Sequence, residues 1–169
     1  MPIHLIQGPM YAGKTSSLVQ KGRECLAHNR VLFVRHTFDT RPNLTHNGSD
    51  KAKSFCHDLV VKQFLKDVDT SQAEVVLVDE GQFFEDLNEC AQRWSLAGKD
   101  VYVAALAHTA TRQIWPSVSA LEADTVCTLC AVCVSCSGKA EFTRKKTDDG
   151  LIIDVGGVDK YEPVCEECF

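Results

Sequence analysis

Ile3-His4-Leu5-Ile6-Gln7-Gly8-Pro9-Met10-Tyr11-Ala12-Gly13-Lys14-Thr15 opens the chain and decides how the rest is read. The apolar run Ile3–Ile6 predicts a buried strand ending at Gln7. Residues Gly8 to Thr15 then match G-x-x-x-x-G-K-[ST], and a helix is expected to begin near Thr15. This strand–loop–helix context is what a phosphate-binding P-loop requires. Its glycines let backbone N–H groups close around a polyphosphate, and the helix N-terminus adds partial positive charge. Gly8, Pro9, Met10, Tyr11, Ala12, Gly13, Lys14, Thr15 and Ser16 are therefore the candidate phosphate-binding residues. In that reading Lys14 reaches the β- and γ-phosphates and the Thr15 hydroxyl ligates Mg²⁺. The competing reading is a glycine-rich turn with a surface lysine.

Working outward, three further apolar runs read as buried strands: Val31–Val34, Val75–Val78 and Val101–Leu106. Helical patterns separate them over residues 15–29 and 84–97, the second stopping at Gly98. Residues 59–68 read as a short strand running into a short helix. Residues 36–54 are polar and rich in Thr, Asn, Asp and Gly, which predicts a long loop. Strands that are apolar along their whole length and alternate with helices indicate an α/β fold, a parallel sheet with helices on both faces. From about Val126 the character changes to cysteine-rich turns. The expected division is a P-loop domain over 1–125 and a small C-terminal zinc-binding domain over 126–169.

With 169 residues and 44% hydrophobic content, the chain is long enough for one ordinary core plus an appendage. Its formal net charge is −5 and it carries no long Lys/Arg stripe, which argues against nucleic acid as a partner. No apolar stretch approaches the roughly 20 residues of a membrane span. The N-terminus enters a strand at once, without a signal-peptide pattern. A cytoplasmic protein is expected. Nine cysteines, an odd number, many of them at C-x-x-C spacing, favour metal ligation over disulfides there.

Two more constellations carry chemistry. Val75–Val78 ends in Asp79-Glu80, and in P-loop proteins an acid at such a strand tip sits beside the Mg²⁺. Asp79 suits that role, and Glu80 can accept a proton from an attacking hydroxyl. Cys133-Val-Ser-Cys136 and Cys165-Glu-Glu-Cys168 form two knuckles of the kind that build a tetrahedral Cys₄ zinc site. Cys127 and Cys130 precede them at the same spacing. An iron–sulfur run is the alternative, but the bacterial pattern places three residues before its fourth cysteine and a proline after it, whereas Ser137 follows here. Cys127 and Cys130 are expected to be strand or helix cysteines packed near the joint between the two units. Arg41 and Arg112 are candidates to add positive charge around the phosphates, against surface ion pairs.

These blocks, in this order, resemble the type II, cytosolic-type thymidine kinases over nearly the whole length. The resemblance rests on Gly8–Thr15, Asp39-Thr40-Arg41, Asp79-Glu80-Gly81-Gln82-Phe83-Phe84, Val103–Leu106, Ala131-Val132-Cys133, Val155–Tyr161 and the last cysteine pair. It implies transfer of the ATP γ-phosphate to the 5′-hydroxyl of thymidine, and of deoxyuridine, to give the monophosphate. Glu80 matches the family's general base, Lys14 and Thr15 its phosphate and Mg²⁺ residues, and Asp79 its strand-end acid. Met10, Phe83, Leu106 and Tyr161 match residues around the thymine, and Trp115 and Thr143 join them as candidates. A lasso loop over about 143–161, including Ile152, Ile153, Asp154, Val155 and Gly156, is implied to fold over the nucleoside. Implied too are ATP, Mg²⁺ and structural Zn²⁺, a homotetramer or dimer, and feedback by dTTP.

The chain also departs from the family. After Leu106 the family usually reads Asp-Gly-Thr-Phe-Gln-Arg, whereas here it is Ala107-His108-Thr109-Ala110-Thr111-Arg112. Ala110 replaces an aromatic that walls the base pocket, and Trp115 stands where Phe is common. A kinase of another pyrimidine deoxynucleoside, a nucleotide switch with a zinc module, and a catalytically altered P-loop and zinc binding protein are the alternatives.

Overall fold

The computed structural model of the chain describes residues 1–41, 51–147, 150–151, 154 and 156–169. Six parallel strands form the main sheet: β1 (Ile3–Gly8), β2 (Val31–His36), β3 (Asp58–Lys62), β4 (Val75–Val78), β5 (Asp100–Leu106) and β6 (Thr125–Thr128). Their order across the sheet is β3-β2-β4-β5-β1-β6. In register, Ile3 lies beside Val101, Val31 beside Val75, and Val78 beside Val103. The tips of β1, β4 and β5 therefore meet at one end of the sheet.

Alternate residues of the central strands serve opposite faces, which is why the strands are apolar throughout. Val31, Phe33, Val75 and Leu77 pack with Leu18 and Val19 of helix α1 (Lys14–Cys25). Leu32, Val34, Val76 and Val78 pack instead with Leu87, Cys90, Ala91 and Trp94 of helix α2 (Leu87–Leu96), and with Val118 of the short helix α3 (Pro116–Ser119). Helices thus cover both faces, as the sequence implies.

Boundaries differ where local contacts override pattern. Helix α1 stops at Cys25, and the next residues turn on hydrogen bonds from His28 N and Asn29 N to the Cys25 carbonyl. Helix α2 begins at Leu87 rather than 84, because residues 81–83 form a 3₁₀ turn and the Asp86 carboxylate accepts from Leu65 N (3.1 Å) and Lys66 N (2.8 Å). Residues 42–50 of the expected long loop lie outside the described residues, and its end holds a 3₁₀ turn at Ala52–Ser54. Residues 126–128, grouped by composition with the appendage, pair with β1 as part of the parallel sheet. Cys127 is accordingly an exposed edge-strand residue and Cys130 is half-buried, so the expected packing of Cys127 does not occur.

The cysteine-rich unit adds two antiparallel pairs, β7 (Ala131–Val132) with β8 (Lys139–Ala140) and β9 (Phe142–Lys145) with β10 (Tyr161–Val164). Its own buried cluster is small: Cys133, Ala140 and Val164, flanked by Ala131, Phe142, Cys165 and Cys168.

Gly22 marks where α1 meets the sheet most closely. A Cβ there would lie 2.4 Å from the Phe55 carbonyl oxygen and 2.9 Å from a Leu77 methyl. Helix propensity alone favours alanine by about 1 kcal/mol. Overpacking against a backbone atom costs about 1–3 kcal/mol and has no flexible side chain to absorb it. Gly22→Ala is expected to lower the thermal midpoint by roughly 2–4 °C per kcal/mol of net loss. A midpoint that rises in calorimetry would show that α1 can slide away from Phe55.

Candidate active site

The loop after β1 takes the left-handed conformation at Tyr11 (φ 65°) and at Gly13 (φ 85°), and Ser17 N then donates to the Gly13 carbonyl as α1 begins. Lys14 is the first helical residue, not the last of the loop, and it is buried. Its Nζ donates to the Pro9 carbonyl at 2.6 Å, folded across the mouth of the loop. Burial pulls its pKa down, while Glu80 and Asp79 pull it back up.

Asp79 stands at the tip of β4, only 1% exposed. Thr15 Oγ1 donates to both of its carboxylate oxygens, at 3.0 and 3.2 Å. Burial pushes Asp79 up to about 7, the neighbouring Glu80 adds to that, and Arg41 opposes it. A buried carboxylate next to a hydroxyl, whose ionised form burial disfavours, is a donor set of hard oxygens suited to a divalent cation such as Mg²⁺.

Arg41 is brought to this centre. It makes a two-pronged contact with Asp39, at 2.6 and 2.7 Å, and reaches Asp79 at 3.1 Å and Glu80 at 3.3 Å. Burial alone would raise Asp39, but hydrogen bonds from Arg41 and Arg35 outweigh it and hold the carboxyl below its ordinary value. Arg35 also donates to the Arg41 carbonyl at 2.8 Å. Asp39 and Arg35 thus brace Arg41. The Asp39-Thr40-Arg41 block pointed to Arg41 alone, since nothing local in sequence announces a brace from the preceding strand.

Glu80 has φ 53° and ψ 44°, a left-handed conformation that costs a non-glycine residue about 1–3 kcal/mol. Such strain persists only where the surroundings enforce it, and here the turn lifts the carboxylate off the end of β4, beside Asp79. Gln82, to which the sequence reading gave no role, donates to Glu80 Oε2 at 2.6 Å.

The expected nucleoside residues partly converge. Phe83 meets Trp115 edge-on at 5.8 Å and Phe38 at 5.5 Å. Behind it His36 is buried among Phe38, Phe83 and Phe84, and burial lowers its pKa. Leu106 ends β5, with its backbone N–H held by Gln82 Oε1 at 3.0 Å. Thr143 accepts the Met10 N–H at 2.9 Å, so β9 of the small unit is tied directly to the phosphate loop. Tyr161 is buried and donates through its hydroxyl to the Asp154 carbonyl at 2.5 Å, while Lys160 (2.5 Å) and Lys145 (2.9 Å) hold the Asp154 carboxylate. Of the lasso residues, Asp154 and Gly156 are described, whereas Ile152, Ile153 and Val155 lie outside the described residues.

Arg112 goes elsewhere. It is left-handed (φ 66°), lies over the rings of Phe142 (4.6 Å) and Phe169 (5.0 Å), and pairs with Glu166 at 3.1 Å. Of its two readings, phosphate charge or surface ion pair, Arg112 follows the second, at the seam between the 108–114 turn and the cysteine-rich unit. The local sequence gives no signal for this, because the two rings come from β9 and from the C-terminal residue, thirty and more positions away.

Cys133, Cys136, Cys165 and Cys168 are brought together, all four sulfurs within 4.8 Å of one another. Cys136 Sγ and Cys165 Sγ are 3.6 Å apart, close to the ~3.8 Å that tetrahedral Zn–S bonds of about 2.3 Å impose. Backbone N–H groups, that of Cys165 foremost, hold the Cys133 thiol down to about 6, favouring the thiolate that a metal needs. Neither Cys127 nor Cys130 joins the cluster, so the run of four consecutive C-x-x-C cysteines is not what assembles, and the four-thiol set that does is compatible with zinc.

The loop after β1, the acids at the tip of β4, the rings around Phe83 and the four-thiol cluster, tied to the loop by Thr143, belong to a chain that is similar to known proteins along its whole length. A family model described as thymidine kinase matches residues 1–169. The chain is 35% identical over 179 residues to the thymidine kinase of fowlpox virus (strain NVSL), covering 99% of this chain and 96% of that protein. It is 34% identical to the cytosolic thymidine kinase of Cricetulus griseus, covering 99% and 72%. Against thymidine kinase 1 of Dictyostelium discoideum the identity is also 34%, covering 99% and 77%. By a match along its full length, this chain belongs to the thymidine kinase family.

Proposed function

We propose that this chain transfers the γ-phosphate of ATP to the 5′-hydroxyl of thymidine, and of deoxyuridine, to give the monophosphate. The observation that carries the reading is the meeting of Lys14, Thr15, Asp79 and Glu80 at the shared ends of β1 and β4, with Phe83 three residues beyond Glu80.

Each residue has a part in that chemistry. The loop amides of residues 8–16 and the α1 N-terminus hold the β- and γ-phosphates, and Lys14 exchanges its Pro9 carbonyl for phosphate oxygens. Thr15 and Asp79 would hold Mg²⁺, which supplies neutralisation of charge on the transferred group. Arg41, already beside both acids, adds positive charge from the nucleoside side. Glu80 accepts the 5′-hydroxyl proton as that oxygen attacks. Phe83 and Trp115 wall the base, and Met10, Leu106, Thr143 and Tyr161 complete the pocket. Placement and charge supply most of the rate, since phosphoryl transfer asks little covalent work of a protein.

The relatives' names support a cytoplasmic setting, and among the described residues no helix is long and apolar enough to cross a membrane. A homotetramer or dimer and feedback by dTTP belong to the same reading, and neither nucleic acid nor membrane is a partner in it.

One observation favours a broader base preference. Ala110 is half-buried where the family pattern has an aromatic ring, and the buried Trp115 indole N–H has no hydrogen-bond partner. We read the slot as holding thymine with room at its 5-position. The test is ADP formation with and without nucleoside, across thymidine, deoxyuridine, deoxycytidine and thymidine analogues with larger 5-substituents, with products read by mass. Thymidine-dependent ADP and a monophosphate product are expected, with bulky analogues accepted and Ala110→Phe narrowing that tolerance by roughly tenfold. Nucleoside-independent ADP formation would point to a nucleotide switch, and no turnover to a binding protein.

A further inference from the structure

Gln82 is 4% exposed, and every polar group of its side chain is committed. Oε1 accepts the Leu106 N–H at 3.0 Å and Nε2 donates to Glu80 Oε2 at 2.6 Å. The chemistry fixes which end points where. A flipped amide would set N–H against N–H at Leu106 and oxygen against carboxylate at Glu80. The backbone is fixed as well: the Gln82 carbonyl accepts from Ser117 Oγ at 2.8 Å. Gly81 lies so close to the sheet that a Cβ would be 2.5 Å from a Val103 methyl. The turn from Glu80 to Gln82 is thus clamped between β5 and α3.

We propose that Gln82 is the positioning residue for the base, holding one oxygen of Glu80 so that the other faces the nucleoside hydroxyl, and tying that carboxylate to the base-pocket residue Leu106. Only Oε1 of Glu80 is left toward the site, where Arg41 approaches it at 3.3 Å. When Arg41 turns to the phosphates, Oε1 becomes the proton acceptor and Oε2 stays with Gln82. A carboxylate on three rotatable bonds, in a strained turn, would otherwise sample orientations that miss the hydroxyl. Because the same amide grips Leu106 N, a shift of the β5 tip on nucleoside binding is passed to the base. The inference rests on the reading of Glu80 as base.

The experiment is a double-mutant cycle. Gln82→Glu keeps the shape and the acceptor for Leu106 but replaces the donor facing Glu80 with an acceptor. Gln82→Met keeps the volume without either bond and serves if the first variant folds poorly. Either is expected to lower kcat by roughly 10- to 100-fold, the scale of a misplaced reacting group. KM for thymidine and ATP should change less than about threefold, because the lost contact serves the transition state. In a Glu80→Gln background the same substitutions should lower the residual kcat by less than about twofold, since there is no base left to position. Equal losses in both backgrounds would mean that Gln82 only supports the fold, and retention of kcat by both variants would remove any role for it. If Glu80→Gln alone leaves kcat intact, the failure is that of the base assignment and takes this inference with it.

Discussion

Replacing Glu80 with glutamine is expected to lower kcat by ~10²–10⁴-fold, the usual loss when a general base is removed. That corresponds to about 2.7–5.5 kcal/mol of transition-state stabilisation. The substitution keeps side-chain length and one acceptor oxygen, which can stay on Gln82 Nε2, and glutamine meets the same left-handed backbone that glutamate tolerates at φ 53°. Arg41 loses one of three carboxylate partners but keeps Asp39 and Asp79. The site should therefore stay assembled, and thymidine should bind within a few-fold of its original affinity by calorimetry. The loss should fall on kcat with both substrates saturating. Should the variant keep most of its kcat at neutral pH, proton acceptance lies elsewhere, and Asp79, a neighbouring carboxylate that burial pushes up to about 7, becomes the group to examine.

The parts of the fold that sequence predicts well are those where one physical demand dominates. A strand buried on both faces must be apolar throughout, so Val75–Val78 is found where it was expected, residue for residue. A loop that wraps phosphate needs backbone freedom at fixed offsets, so Gly8 to Thr15 is legible without structure. Four thiolates on two knuckles leave few other uses, and Cys133, Cys136, Cys165 and Cys168 do converge. Failures occur where a residue's role depends on a distant partner. Arg112 reads as a phosphate cation or a surface ion pair, and only Phe142, Glu166 and Phe169, from the far end of the chain, decide for the second. Thr143 reads only as a pocket residue, and the bond by which its hydroxyl also fastens β9 to the loop after β1 has no sequence signal. Gln82 lies within a recognised block, but its two bonds run to residues two and twenty-four positions away, which no periodicity encodes. Cys127 shares the C-x-x-C spacing of the knuckles and still belongs to the parallel sheet, since spacing does not say where a strand ends.

Removing the metal should have an equally large effect at a different point in the cycle. Among the described residues, the cysteine-rich unit has only Cys133, Ala140 and Val164 in its buried cluster, little apolar surface with which to fold by itself. In comparable small domains structural zinc carries an apparent ~10–16 kcal/mol of binding free energy, which is also folding free energy. Without the ion, four thiols held within 4.8 Å of one another lose the charge that reconciles them. Cys165→Ser, or a strong chelator, is expected to unfold β7 to β10 while the six-stranded sheet persists. The damage would then reach the substrate by a traceable route. Thr143 releases Met10 N, Tyr161 and Asp154 lose their mutual anchor, and Arg112 loses Phe142 and Glu166. KM for thymidine should rise roughly tenfold or more, because the lid and one wall of the pocket lose their support. ATP binding at Lys14 and Thr15, which lie on the sheet, should weaken far less. Elemental analysis of the untreated protein should find one zinc per chain in a colourless sample. Iron with visible absorbance would shift the site toward Cys127 and Cys130, and a Cys165→Ser chain that keeps both its zinc and its thymidine KM would break the link between this knot and the nucleoside.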